Sequence, residues 1–414
     1  MAIADARREA FGDVWLALWT SRLVVWLASI YAVLTVGFRP TGRAPHTGAP
    51  LGNLGELVFG VAQRWDSGFY LSIADHGYHS AELSAFFPLY PLTIKAVGFL
   101  SGSLQIAGIA VSLISFAVAL YFLQRLVTLE LGKEHARTAV LALAFFPTAM
   151  FFSTIYPEAL LLALTIGAVY AARTGRWAWA GILGALASAT HDSGVLVAIP
   201  IALLYLYGPR ADGDQALETS STTWWRARYR PRLDFLWLAL VPCGLIAFFG
   251  YLGVEHGDAF QSLHVNDMLW HRHFELLGGL TGIVSVGWHG LHTIASAPPD
   301  RLFPATNGPY RGAGVNMVDA AALVFALIAT IGVIRRLPFA YSAYTVVSLV
   351  IFTSAPKVTE PLESLPRFIL ILFPLQMSLA PWLDKRGRLA VWLACSGLAL
   401  GAASMQFATG RWVA

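Results

Sequence analysis

From Leu104 to Gln124 the chain runs 21 residues without a charged side chain. At 1.5 Å per residue, about 20 apolar residues make a helix that crosses the hydrocarbon of a bilayer. Backbone polar groups in that medium must be satisfied within the segment itself, so the run predicts a helix. Runs of the same kind recur, several shortened or interrupted by proline. They predict helices near 12–36, 104–126, 138–152, 157–172, 177–190, 193–208, 235–254, 315–334, 339–355, 366–382 and 389–408, eleven in all. The stretch 276–296 is also apolar, but it is glycine-rich and interrupted by Trp288, His289 and His292, which predicts a surface-lying or partly inserted helix. The expected fold is an all-α polytopic bundle, one domain over 1–414, with a long first external loop at 37–103 and a second at 255–314.

Composition agrees. Charged residues are 13% of the chain against about a quarter in soluble domains, and mean hydropathy is +0.61. The net charge of +4 is gathered on no basic face, which argues against nucleic acid as a partner. Cys243 and Cys395 both lie in apolar runs, and two such cysteines support neither a disulfide framework nor a cysteine metal site. Arg22 stands near the middle of the first run with no small-residue cleavage pattern after it, which predicts a retained helix. An arginine-heavy, lysine-poor basic set with abundant Ala and Gly suggests a GC-rich bacterial genome and a plasma membrane.

The positive-inside rule sets the expected orientation. With the N-terminus in the cytoplasm, the connections on that side hold Arg7/Arg8, Arg125/Lys133/Arg137, Arg173/Arg176, Arg210 with Arg226/Arg228/Arg230/Arg232, Arg335/Arg336 and Lys385/Arg386/Arg388, which is 17 of the 28 basic residues. The loop 37–103, the turns 153–158, 190–193 and 356–367 and the loop 255–314 then share the opposite face, with every histidine except His135. Acids, histidines and aromatic rings gathered at one interface predict an enzyme working there.

Each candidate on that face has a plain structural alternative. The segment 51–73 carries apolar residues at near-helical spacing, so it is expected to lie along the surface with Trp65 and Phe69 as anchors. Asp66 beside that wall is either a partly desolvated general base or a helix cap. Asp75, in "DHGY", fits a helix end closed by Gly77. In "YPEALLLAL", Tyr156 precedes a well-made helix start: Pro157 needs no N–H there and Glu158 complements the dipole, or serves the chemistry instead. "ATHDSGVL" presents His191 and Asp192 at a short turn, as phosphate ligands or as an N-cap. Arg367, entering an apolar run behind Pro366, calls for an anionic partner, either a protein acid or a lipid phosphate. His256, Asp258, His264, Asp267, His271 and His273 form a polar cluster without an HExxH pattern or comparably tight spacing, so no metal is expected. There is no Walker A loop, no GxGxxG before a helix and no GxSxG. No series of ionisable groups runs through the helix centres, which weighs against an ion-coupled carrier.

"RWDSGFYLSIADHGY" (64–78) followed by "FFPLYPL" (86–92) resembles the signature of the second mannosyltransferase of glycosylphosphatidylinositol assembly and its bacterial homologues. "YPEALLLAL", "GDAF" with "LWHR", and "PRFILILFPL" resemble it in the same order, whereas the family more often carries an Arg where His191 stands. The resemblance implies a membrane glycosyltransferase of the family C superfamily. Its members have a many-helix fold, a catalytic Asp in the first external loop and a polyprenyl-phosphate sugar donor. It implies that Asp66 takes the proton of an acceptor hydroxyl on a lipid or glycan, with inversion at the sugar and no cofactor. Arg64, Trp65, Asp75, Tyr156, Glu158, His191, Asp192 and Arg367 become the residues expected to hold the donor phosphate or substrate. A lipid-glycan flippase or carrier, a non-enzymatic assembly factor and a polymerase or ligase of lipid-linked glycans are the competing classes.

Overall fold

The structure, a computed structural model, describes residues 2–38, 52–212, 227–296, 309–357, 360–411 and 413; loop segments 39–51 and 297–308 and Arg226 lie outside the described residues. Every regular element among the described residues is helical. The chain opens with α1 (Ala2–Val36) and the short α2 (Gly52–Val58), followed by α3 (Ser67–His76), α4 (Leu89–Ser101) and the long α5 (Leu104–Glu130). Next come α6 (Ala136–Ala144), α7 (Glu158–Arg173), α8 (Trp177–Thr190) and α9 (Ala198–Tyr207). The second half holds α10 (Cys243–Glu255), α11 (Gln261–Trp270), α12 (Gly278–Ser296), α13 (Pro309–Arg336), α14 (Phe339–Phe352), α15 (Leu365–Leu370), α16 (Phe373–Leu383) and α17 (Arg388–Ala408).

Helices within α1, α5, α13 and α17 are long and apolar enough to cross a membrane, and the 3-10 turn Leu233–Leu240 with α10, bent by 44°, makes a fifth crossing if taken as one. By length and composition, then, four or five of the eleven expected spans stand as single crossings. The others are shorter or broken, and proline marks the breaks. The expected helix 138–152 stops at Ala144 because Pro147 offers no N–H and disfavours helical geometry at Phe146; the chain resumes as a 3-10 turn, Ala149–Phe152. The expected 366–382 splits into α15 and α16, with a proline near the start of each.

At the centre, α5 packs on α7, α7 on α8, and α1 on both α5 and α17, while α13 packs on α12 and α16. The stretch 276–296, expected as a surface-lying or partly inserted helix, is helical over α12. A second apolar core lies apart from the main one: Tyr70, Leu71, Phe86, Tyr90, Ile94 and Ile155 are buried together. The stretch 51–73 is therefore not one surface helix. It breaks at Gln63–Asp66, and Phe69 stacks on Phe86 with ring centroids 4.9 Å apart. The apolar periodicity is satisfied by folding the segment back against 86–94 and α5, where more area leaves water than at a surface. Gly108 of α5 permits this approach, since a Cβ there would lie 2.7 Å from a methyl carbon of Ile155.

Candidate functional site

Three breaks in the helical structure meet on one side of the bundle: the kink before α3, the stretch 145–157 between α6 and α7, and the start of α15. At the first, Trp65 takes a left-handed backbone (φ 54°), a conformation costly for a bulky side chain. Asp66 follows at the N-cap position of α3, yet its side chain caps nothing. Its Oδ2 accepts from Nη1 of Arg367 at 3.0 Å. The same guanidinium presents Nε to Oε1 of Glu158 at 3.1 Å. One arginine thus bridges two carboxylates that lie 92 positions apart in sequence, and the three side chains carry a net charge of −1 when ionised.

Burial differs across the group. Asp66 is a fifth exposed, Arg367 12% and Glu158 7%. Glu158 Oε2 has no hydrogen-bond partner among the described residues. Asp66 is the carboxylate nearest solvent, whereas Glu158 is enclosed with its cation. Without Arg367 two buried or half-buried acids would repel each other, and with it each offsets the desolvation of the next.

Tyr156 completes the floor. Fully buried, its hydroxyl accepts from the peptide N–H of Asp66 at 3.2 Å and donates to the carbonyl of Arg64 at 3.3 Å, fixing the kink that presents Asp66. Burial first, and then the Asp66 carboxylate, push its phenol well above the ordinary value, so it stays neutral. The Arg367 Cζ lies 5.5 Å from its ring centroid. On the third side Thr148 donates to the carbonyl of Pro366 at 2.9 Å and ties the 145–157 stretch to the residue before Arg367.

His191 stands at the edge. Its ring faces Phe87 and Phe368 at centroid separations of 6.4 and 6.1 Å, and its Nδ1 lies 2.6 Å from Asp192 Oδ1. Burial resists its protonation, but the adjacent Asp192 outweighs that and raises its affinity for a proton. Asp192 Oδ1 also accepts from the N–H of Ser193 at 2.5 Å, so the N-cap reading of this turn holds alongside the electrostatic one.

The remaining candidates lie elsewhere. Arg64 is buried, but its guanidinium donates to the carbonyls of Gly60, Gln63 and Ala408, joining the kink to the end of α17. Trp65 packs against the main core rather than anchoring at a surface. Asp75 is exposed beside His76 at 3.6 Å, in the helix-end role that "DHGY" suggests, with Gly77 at φ 75°. In the second loop His264 pairs with Asp258 and His273 with Asp267, and among the described residues no three metal-ligating side chains converge.

Sequence reasoning passed over Arg272, which bonds Glu363 through its side chain at 3.0 Å and its carbonyl at 3.1 Å. Lys357 lies 3.2 Å from the other oxygen of Glu363. Burial would raise the Glu363 carboxyl, but these two cations outweigh it and hold it low. The signal was in "HRH", where the histidines drew attention from the arginine between them.

Residues 46–205 match the sequence model of a family described as "Mannosyltransferase (PIG-V)". Over 190 residues the chain is 32% identical to the GPI alpha-1,6-mannosyltransferase 2 of Rattus norvegicus, and over 188 residues 27% identical to that of Homo sapiens; each match covers 42% of this chain. It spans 38% of the length of these curated relatives. Among solved structures, the oligosaccharyltransferase of Archaeoglobus fulgidus is similar over 97% of this chain and 56% of its own, at 12% identity and a TM-score of 0.44. The matched segment includes Asp66, Tyr156, Glu158 and His191, and over it the chain is similar to the mannosyltransferase (PIG-V) family.

Proposed function

We propose that this chain is a multi-pass membrane glycosyltransferase that moves a mannosyl-type sugar from a polyprenyl-phosphate to a hydroxyl of a lipid or glycan acceptor. The observation that carries the reading is the position of Asp66: at a helix start, uninvolved in capping, partly open to solvent, and aimed by a buried tyrosine and an arginine. The match of residues 46–205 to a mannosyltransferase family supports the sugar class.

In this mechanism Asp66 takes the proton of the acceptor hydroxyl as its oxygen bonds to the anomeric carbon. The bond from that carbon to the phosphate oxygen breaks, and the polyprenyl phosphate departs with the electron pair, inverting the centre. Charge grows on the leaving phosphate, and a preorganised cation is the group that stabilises it. Arg367 serves: Nη1 donates to Asp66, while Nε lies 3.1 Å from Glu158 as an ion pair and makes no hydrogen bond among the described residues. When a phosphate oxygen takes up the guanidinium, Asp66 is released to accept a proton. His191, whose affinity for a proton is raised by the adjacent Asp192, stands at the same edge. The distribution of basic residues over the connections supports a reaction on the non-cytoplasmic face.

The test is purified protein in liposomes supplied with polyprenyl-phosphate-mannose and a panel of glycolipid acceptors. Acceptor that gains a hexose while polyprenyl phosphate accumulates supports the proposal. Movement of labelled glycolipid across the bilayer without chemical change would replace it with a carrier.

A further inference from the structure

Arg22 has no part in the reaction just described, yet it is almost fully buried in the middle of α1. A lone cation in hydrocarbon is expensive and ordinarily finds an acid. Among the described residues none pairs with it. Its guanidinium instead donates to the carbonyl of Ala149 at 2.7 Å, the carbonyl of Ala144 at 3.2 Å and the hydroxyl of Ser153, and it lies 4.8 Å from the Phe116 ring centroid. Ala144 is the last residue of α6; Ala149 and Ser153 belong to the non-α-helical stretch that follows. A helix that stops inside apolar surroundings leaves carbonyls that neither water nor its own N–H groups can reach. A positive charge there answers both the missing donors and the negative pole of the helix.

That stretch also carries the site. Thr148 bonds the carbonyl before Arg367, Tyr156 bonds the peptide of Asp66, and Glu158 begins α7. We infer that Arg22 is a positioning residue: by bridging Ala144, Ala149 and Ser153 it fixes the broken helix between α6 and α7, and through Thr148 and Tyr156 it sets where Arg367 and Asp66 stand. The inference rests on the transfer reading for its kinetic consequence, but its structural consequence stands apart from it. A lysine could keep the charge without forking across two carbonyls. Ser153, which bonds the guanidinium, also lines a small void with Val25, Trp26, Ser29, Met150 and Ser404, through which a small cation could reach the space left by a shortened side chain.

Two measurements on wild type, Arg22→Gln, Arg22→Lys and Arg22→Ala decide it. The first is hydrogen–deuterium exchange by mass spectrometry. Arg22→Gln is expected to raise exchange in 145–157 and around Asp66 and Arg367, leaving α10 unchanged. Arg22→Lys should lie between, and methylguanidinium should restore protection to Arg22→Ala. The second is the kinetics of transfer: kcat falls about 10²-fold, as for a displacement near 1 Å, and the donor KM stays within about threefold, with Arg22→Lys recovering part of the rate. Exchange unchanged in 145–157, or raised uniformly across all helices, overturns the inference; so does a loss expressed in KM alone. Wild-type protein that transfers nothing would sink the transfer reading, while the exchange pattern would still decide the role of Arg22. If Arg22→Gln fails to fold, Arg22→Lys carries the same comparison.

Discussion

Arg367 and Asp66 are separated by 301 positions in sequence and by 3.0 Å in space, Nη1 to Oδ2. The geometry depends on a fork: the same guanidinium reaches Glu158 through a different nitrogen. A lysine has one charged nitrogen and cannot span both. Arg367→Lys is therefore expected to lower transfer by about 10²-fold or more, in kcat more than in donor KM, because the lost contact strengthens as charge develops. Steady-state kinetics of the two proteins check this; a change confined to KM contradicts it.

Stability should show the same coupling. Arg367→Met leaves Glu158 buried with its charge unpaired, at a cost on the order of 3–5 kcal/mol. Adding Glu158→Gln should recover much of that, so the double variant is more stable than Arg367→Met alone. Thermal unfolding in detergent gives the ordering, and strictly additive losses would show that the two side chains do not interact.

Two carboxylates on one guanidinium raise the alternative of a covalent glycosyl intermediate, which needs a second acid close to the sugar. Glu158 is the more enclosed of the two and engages the arginine, so it is expected to hold Arg367 and not to attack. The product should carry the anomeric configuration opposite to that of the donor. The NMR anomeric signals of the isolated product decide it, and retention would make Glu158 a nucleophile.

Much of this site was legible in the sequence, and the illegible part has one cause. Asp66, Tyr156, Glu158 and Arg367 each announced themselves as polar groups at the edge of apolar runs. What the sequence did not disclose is that they converge, since hydrogen bonds and ion pairs across 90 to 301 positions leave no local pattern. Helix ends fared likewise: Pro147 stops α6 three residues ahead of itself, but a count of apolar residues runs through it. Arg64 and Asp75 show the limit in the other direction, because their local motif is dense while their side chains serve the backbone and a helix end.

Gly194 supports the turn that bears His191. A Cβ there would fall 2.0 Å from the carbonyl oxygen of Ala187, a backbone atom that no rotamer change can move aside. Gly194→Ala is expected to destabilise by roughly 1–3 kcal/mol, the range for overpacking, and to lower activity by displacing His191. Gly12, inside α1 with open space around it, is the control: Gly12→Ala should leave activity unchanged and raise stability slightly, by about 0.5–1 kcal/mol. Equal behaviour of the two variants would contradict the packing argument.

The His191–Asp192 pair makes a pH prediction. The imidazole's proton affinity is raised in the folded protein, so the pair's contribution is fully present below the unfolded value of about 6.5 and is lost as pH rises through the higher folded value. Asp192 is mostly exposed, which limits the effect to about 1 kcal/mol or less. The melting-temperature difference between wild type and Asp192→Asn should shrink from pH 6 toward pH 8. A difference that grows over that range would reverse the assignment.

The most direct measurement is transfer by Asp66→Asn, which keeps the shape of the side chain and removes the base. Purified in parallel with wild type and given polyprenyl-phosphate-mannose and acceptor, it should lose about 10²–10⁴-fold in kcat, the range for a general base, while binding the donor within a few fold of wild type and melting within a few degrees of it. Transfer at the wild-type rate by a folded Asp66→Asn protein would show that Asp66 is not the base.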